Sequence, residues 1–304
     1  MNFDLTDEQE MVRDTFARFL DEHSSCLRVR AVHPTGFDPA LWQGLGELGA
    51  FAMRVPEEAG GLGMGLLDAA VLMEEAGRTL VSGPLAETLG STRLLAQLAG
   101  EAQAELLGRA IAGETVVTLA LHDLAAQPKQ WIAGGLVAEA VIARRGDDVV
   151  LVAVPEAARQ AEENLASTPI AEIELGALEA TVMASGTEAL ATYAAAVEEW
   201  KLLIAAGLSG VGREALKLAS AYANERMAFG QLIGTFQGIS HPLADRLCEV
   251  DGAKFLVWKA IRDIYEGSDE AAPGISLALH WASKYCVDAA SQALHTFGGY
   301  GLST

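Results

Sequence analysis

Apolar residues recur at helical spacing along most of the chain, with one interruption where the rhythm shortens. Thr6-Asp7-Glu8-Gln9 opens the first helical run as a capping box, ahead of Met11, Phe16, Phe19 and Leu20. A second helix starts at Asp38-Pro39, where Pro takes the first helical position, and carries Leu41, Trp42, Leu45 and Leu48. The Pro- and Gly-rich loop from Arg54 to Gly63 separates it from helices predicted at 67–80, 84–99 and 102–112. Short β-branched runs follow at Thr115–Leu121, Leu136–Arg144, Val149–Val154, Ala171–Leu175 and Ala180–Ala184. Parted by Gly, Pro and Asp-Asp breaks, they predict antiparallel strands of a small sheet. From Glu188 the helical period returns, over 188–224, over 238–266 and on to near His295. Three long rods in sequence imply a bundle, which needs a fourth partner from this chain or another. The predicted fold is α+β and mostly α. It has an N-terminal all-α domain over 1–113, a small antiparallel β middle domain over 114–186 and a C-terminal long-helix bundle over 187–304.

Composition narrows the class. With 51% hydrophobic and 20% charged residues the chain is globular rather than disordered. A formal net charge of −20 argues against nucleic acid, which needs clustered Lys and Arg, and against an anionic membrane surface. Cys26, Cys248 and Cys286 lie far apart in no metal-ligand spacing, the usage of a reducing compartment. Met1-Asn2-Phe3-Asp4 opens no basic, apolar leader, and no apolar run reaches membrane length. A cytoplasmic, soluble protein is expected.

Candidate chemistry gathers between the first two long rods, in Glu225-Arg226-Met227-Ala228-Phe229-Gly230-Gln231-Leu232-Ile233-Gly234-Thr235-Phe236-Gln237. Gly230 and Gly234 tolerate the positive φ that a tight turn needs. Such a turn requires neither an Arg, a Phe nor a Gln. Arg226 is a permanent cation with forked donors suited to phosphate, and Gln237 both donates and accepts. The plain alternative is a capped turn whose Arg pairs with a neighbouring carboxylate. Elsewhere the signals are structural. None of the six histidines has a Glu three residues before it, so no di-metal carboxylate set and no metal ligand is predicted. His241 and His280 read as packed or capped, and no strand-flanked Gly-x-Ser-x-Gly elbow is present. Gly207-Leu208-Ser209-Gly210-Val211-Gly212 suits close helix–helix contact. Trp258 and Trp281, with Phe255 and Leu256, read as core.

Three motifs, in this order over nearly the whole chain, resemble the acyl-CoA dehydrogenase family. They are Pro56-Glu57-Glu58-Ala59-Gly60-Gly61-Leu62-Gly63 with Asp68 and Glu74-Glu75-Ala76-Gly77-Arg78; Glu225 to Gly230 through Phe236-Gln237; and His295-Thr296-Phe297-Gly298-Gly299-Tyr300-Gly301. The resemblance implies an FAD shared across a subunit interface. The flavin ring lies against the β domain of one protomer, and the adenosine and pyrophosphate are held by the helical domain of its neighbour. By the same resemblance Arg226 matches the pyrophosphate arginine, Phe229 packs on the cofactor and Gln237 matches a glutamine hydrogen-bonded to it. His295 stands where the family often has Gln, and Gly298-Gly299 allow close backbone approach. Ala228 replaces a frequent Ser or Thr.

Two family features are missing. The Thr-Glu-Pro…Gly-Ser-Asp type stretch that holds the flavin ring is replaced by Thr118-Leu119-Ala120-Leu121-His122-Asp123-Leu124-Ala125-Ala126, in a β region shorter and more degenerate than the family's. The second is the base: α-proton removal needs a carboxylate, and most of the family places that Glu beyond the Gly-Gly motif, further than Thr304 reaches. Ile264-Tyr265-Glu266-Gly267 resembles its setting but precedes the motif. A minority of the family has its base on the first long rod, near Trp200 here, and Glu199 beside it reads as a solvated pair with Glu198. No catalytic residue is therefore assigned.

The reading is a shortened subunit of a heteromeric acyl-CoA dehydrogenase, of the kind that includes steroid-CoA enzymes. It contributes the adenosine/pyrophosphate half of an FAD site. A longer acyl-CoA dehydrogenase-like partner supplies the flavin-ring contacts, the catalytic Glu and most of the acyl-CoA site, most economically as α2β2. Whether electrons pass to an electron-transferring flavoprotein is left open, as is a Glu beyond Thr304. The rival is a non-catalytic scaffold or dimerisation protein of the same fold without cofactor, in which Arg226 and Gln237 face an intramolecular carboxylate.

Overall fold

The computed structural model describes residues 4–98, 100–161, 164–165 and 167–303, apart from the side chain of Glu101. Met1–Phe3, Ala99 and Thr304, on which the leader, helix-end and chain-end expectations fall, lie outside the described residues. The helices are α1 (Asp7–His23), α2 (Cys26–Ala31), α3 (Pro39–Glu47), α4 (Leu66–Arg78), α5 (Leu85–Leu98) and α6 (Ala104–Ile111). Strands β1 (Val117–Leu119), β2 (Lys129–Ile132), β3 (Ala140–Arg145), β4 (Asp148–Ala153), β5 (Ala171–Glu174) and β6 (Ala180–Ser185) follow. Then come α7 (Thr187–Ala223), β7 (Met227–Ala228), β8 (Gln231–Leu232), α8 (Gln237–Glu266) and α9 (Ala271–Phe297). The mostly helical α+β class and the order of helices, strands and long helices are as expected. By contacts the chain divides into two compact units. One comprises Arg18–Ala69 and Val81–Trp200; the other comprises Met1–Ala17, Ala70–Leu80 and Lys201–Thr304.

In the first unit a four-stranded sheet of order β1-β3-β4-β6 is the centre. Both its faces are covered, which is why β3 is buried at four successive residues instead of alternating. Leu119, Ala140, Ile142 and Val149 join Leu94 and Leu95 of α5, Leu107 of α6, and Tyr193 and Ala196 of α7 in one core. Val141, Ala143, Val150 and Val152 point the other way, toward Ile132, Ala171 and Ile173 of a separate β2–β5 ribbon. Two strand expectations change here. The pair β1–β3 is parallel, Val117 opposite Ala140, whereas all pairings had been expected antiparallel. The reason is β2, which the sequence pattern had not predicted: it leaves for the ribbon, so the chain re-enters the sheet in its original direction. Helix α5 is buried from Leu85 to Thr92, and its polar groups are satisfied inside. Thr88 Oγ1 donates to Val117 O at 3.2 Å and Thr92 Oγ1 to Phe51 O at 2.9 Å. Asp38 caps α3, its Oδ1 accepting from Ala40 N and Leu41 N at 3.1 Å.

In the second unit the capping box of α1 is present in both directions. Thr6 N donates to Gln9 Oε1 at 3.1 Å, and Gln9 N to Thr6 Oγ1 at 3.2 Å. The small residues of α7 do what their spacing suggested. A Cβ added at Gly77 of α4 would strike the Gly207 carbonyl, and one at Gly210 the Glu74 carbonyl, so the two backbones touch. Of the four aromatic and aliphatic positions expected in the core, Trp258 is buried, its Nε1 donating to Glu74 Oε1 at 3.0 Å. Trp281 and Leu256 are half-buried, and Phe255 is exposed because Ala253, Val257 and Ala260 take the inward face. Cys286 is buried among apolar groups, and that burial pushes its thiol up to about 12, leaving it unreactive.

Candidate functional site

Helix α7 ends at Ala223, and the chain turns back through the β7–β8 hairpin before α8 begins. The hairpin turn is Phe229-Gly230, with φ of +51° and +81°. Two successive positive φ values give the turn whose twist matches a two-residue hairpin. Asn-Gly is the usual pair, and a bulky aromatic there is strained. Phe229 is also 97% exposed, its ring edge-on to Phe236 at 6.2 Å between ring centres. Gly234, in contrast to the expectation, has no positive φ; a Cβ there would sit 3.0 Å from Ala223 O, so close approach explains it.

Arg226 emerges just before the hairpin, its N–H donating to Tyr222 O at 2.9 Å. It lines a groove of about 540 Å³ together with Tyr222, Ile233, Thr296, Phe297, Gly298, Gly299, Tyr300 and Ser303. Among the described residues Arg226 has no carboxylate partner. Its guanidinium carbon instead stands 5.9 Å from the centre of the Tyr300 ring. Gly298, with φ +61°, ends α9 and starts the tight turn Gly298–Leu302. Gly299 has neither a positive φ nor, among the described residues, any atom within 4 Å of an added Cβ, so none of them requires a glycine there. Space left open by a glycine beside an unpaired cation suits an external anionic group approaching the backbone.

Of the residues singled out in the sequence, Arg226, Gly298 and Gly299 are brought together in this groove. Phe229 stands at the hairpin tip, Gln237 at the first residue of α8 and His295 in the last turn of α9. All three are exposed and outside the groove. Tyr222 and Tyr300 line it although sequence reasoning gave neither a role. The available signal was only that Tyr222 lies four residues before Arg226, close to the end of the helix.

Both carboxylates weighed as a base are engaged. Glu266 closes α8 at the surface and accepts from Arg262 Nε at 2.6 Å. Glu199, expected to be solvated, is buried with its side chain 10% exposed. Its Oε1 accepts from Arg54 Nη2 at 3.0 Å and from Arg93 Nη1. Arg54 also donates Nη1 to Met64 O at 2.5 Å. Next to it, Trp200 Nε1 donates to Glu87 Oε1 at 2.8 Å, and burial pushes the Glu87 carboxyl up against the opposing effect of that bond. Thr118, at the place where the family's flavin-ring stretch was sought, is fully buried with its hydroxyl donated to Ala133 O at 2.6 Å. A larger cavity of about 750 Å³ lies beside α4, α7 and α8. Its cations are spent internally, Lys254 on Glu74 at 2.7 Å and Lys217 on Glu214 at 3.1 Å. Among the described residues no helix is long and apolar enough to cross a membrane.

Residues 6–114 match the family profile described as acyl-CoA dehydrogenase, N-terminal domain, and residues 190–304 that of acyl-CoA dehydrogenase, C-terminal domain. A curated relative is acyl-CoA dehydrogenase IpdE2 of Mycolicibacterium smegmatis, 29% identical over 302 residues, covering 98% of this chain and 89% of its own length. Among solved structures, the Tcur3481-Tcur3483 steroid ACAD G363A variant superposes with a TM-score of 0.85 at 25% identity, over 98% of this chain and 88% of the other. A chain of the ChsE4-ChsE5 complex from Mycobacterium tuberculosis shares the fold, with a TM-score of 0.86 at 23% identity, over 100% of this chain and 90% of the other.

Proposed function

The chain belongs to the acyl-CoA dehydrogenase family, and we propose that it works as one subunit of a heteromeric acyl-CoA dehydrogenase, contributing the adenosine–pyrophosphate half of an FAD site. The observation that carries this reading is Arg226: a permanent cation with no carboxylate partner among the described residues, in a groove that Gly298 and Gly299 also line. FAD, when bound, takes the hydride from the β carbon of an acyl thioester. This chain's part is to bind and orient. Arg226 offers forked donors to the pyrophosphate oxygens, and Gly298 and Gly299 let the group approach the backbone. Phe229, Gln237 and His295 project outward, placed for contacts made as a partner closes over the groove. The strained, solvated Phe229 supports that role, since strain of this kind collects where a ligand or partner is received.

A longer partner completes the site in this reading. Thr118 spends its hydroxyl internally, and Glu199 and Glu266 are held by arginines, so the ring contacts and the base come from the other chain. Two of the solved structures this chain resembles are a steroid ACAD, Tcur3481-Tcur3483, and a ChsE4-ChsE5 complex, which favours a two-chain assembly and a steroid-related substrate. An α2β2 assembly and an acyl thioester of a lipid or steroid side chain are the simplest form of this reading. The scaffold alternative expects Arg226 to face a carboxylate of its own chain, and the described residues offer none.

Expressed alone, the chain is expected to be colourless, because it holds only one end of the cofactor; co-expression with its partner should give a yellow complex. Stoichiometric FAD surviving gel filtration on the isolated chain would sink the split-site reading. Glu266→Gln should leave turnover by the complex within about twofold. A loss of 10²-fold or more, the range of an acid–base group, would instead make Glu266 the base.

A further inference from the structure

We propose that Tyr300 is a positioning residue for Arg226, its ring face holding the guanidinium at the mouth of the groove so that the donors stay free for a diphosphate. This rests on the nucleotide-binding reading of the groove given above. A long, exposed arginine loses side-chain entropy whenever a ligand fixes it. A carboxylate neighbour would fix it in advance but would occupy the very N–H groups that an anion needs. An aromatic face attracts the charge through its quadrupole and takes no hydrogen-bond donor. Tyr300 is placed for this, 65% exposed with its ring centre 5.9 Å from the Arg226 guanidinium carbon.

The ring is held from below. Gly298 ends α9 with a positive φ, and the following turn is pinned at Gly301, where a Cβ would strike the Leu294 carbonyl. Ser303 donates its Oγ at 3.0 Å and its N–H at 3.3 Å to Tyr300 O, closing the turn. Tyr222 packs tilted against Phe297, ring centres 4.6 Å apart, and its carbonyl accepts from Arg226 N. Both ends of the Tyr300–Arg226 contact are therefore anchored to α7 and α9.

The test is a calorimetric titration of the isolated chain with ADP at low salt. Tyr300→Leu should weaken ADP binding about two- to fivefold, equivalent to about 0.5–1 kcal/mol at about 1.4 kcal/mol per decade. Tyr300→Phe, which keeps the ring, should bind as the parent does. In an Arg226→Ala background Tyr300→Leu should have no further effect. Arg226→Ala weakening ADP while Tyr300→Leu does not would overturn the positioning role and leave the groove reading intact. An equal loss from Tyr300→Leu in both backgrounds would mean that Tyr300 acts on the nucleotide directly, which also overturns it. ADP binding that is absent, or indifferent to Arg226→Ala, would overturn the nucleotide reading itself.

Discussion

Glu199→Ala is expected to lower folding stability by about 3–5 kcal/mol, the range for removing one partner of a buried ion pair. The side chains concerned are 10% exposed for Glu199, 12% for Arg54 and 21% for Arg93, so two guanidinium groups would be left facing each other with little water. Arg54 has the least room to adapt, since its Nη1 is tied to Met64 O and its buried Nε has no partner among the described residues. Arg93, the more exposed, can turn toward solvent, which places the expectation nearer the lower end. Glu199→Gln keeps the acceptor and the volume but not the charge, and should fall between the parent and the alanine variant. Urea unfolding of the isolated chain measures this. A loss below about 1 kcal/mol, typical of an exposed pair, would show that Glu199 is dispensable to the fold and reopen its candidacy as a base. A carboxylate oxygen that accepts from two guanidinium groups is poorly placed to collect a substrate proton, and the predicted cost is the energetic form of that statement.

The burial of Glu199 was illegible in the sequence for a physical reason. Glu198-Glu199 on a long helix reads as a solvated acidic pair, and the arginines that reverse the reading lie 145 and 106 residues earlier. Helical periodicity, by contrast, is local, and both ends of α7 and α8 and the far end of α9 were expected to within a few residues because every turn restates it. Strand β2 was missed because its polarity is inverted. Gln130 points inward, bonding its amide to His122 O and Gln127 O, while Trp131 faces water. The parallel β1–β3 pair follows from that missed strand, since without a detour the chain can only fold back. The site shows the same division. Arg226, Phe229 and Gln237 stood out as odd residues where a plain turn needs none, and Gly298-Gly299 through a family motif; of these, Arg226 and the two glycines line one groove. Tyr300 was not singled out, because a tyrosine beside glycines carries no signal until α7 and α9 bring it over the arginine.

If the chain is the subunit proposed above, Arg226→Ala is expected to strip FAD from the assembled complex while leaving this chain folded. No carboxylate of the described residues depends on Arg226, and its contact with the Tyr300 ring is at the surface, so its removal costs the fold little. Toward the cofactor the balance is different. Charge-assisted hydrogen bonds contribute about 1.5–3 kcal/mol each. Losing one or two should weaken FAD binding about ten- to several-hundred-fold, at about 1.4 kcal/mol per decade. Arg226→Lys should recover part of this, because an ammonium keeps the charge without the fork that matches diphosphate oxygens. Bound flavin after gel filtration of each complex, read against urea unfolding of each isolated variant, separates loss of binding from loss of fold. An alanine variant that retains FAD with its partner would reduce Arg226 to an ornament of the hairpin, and the cofactor-free scaffold would then be the better reading of the chain.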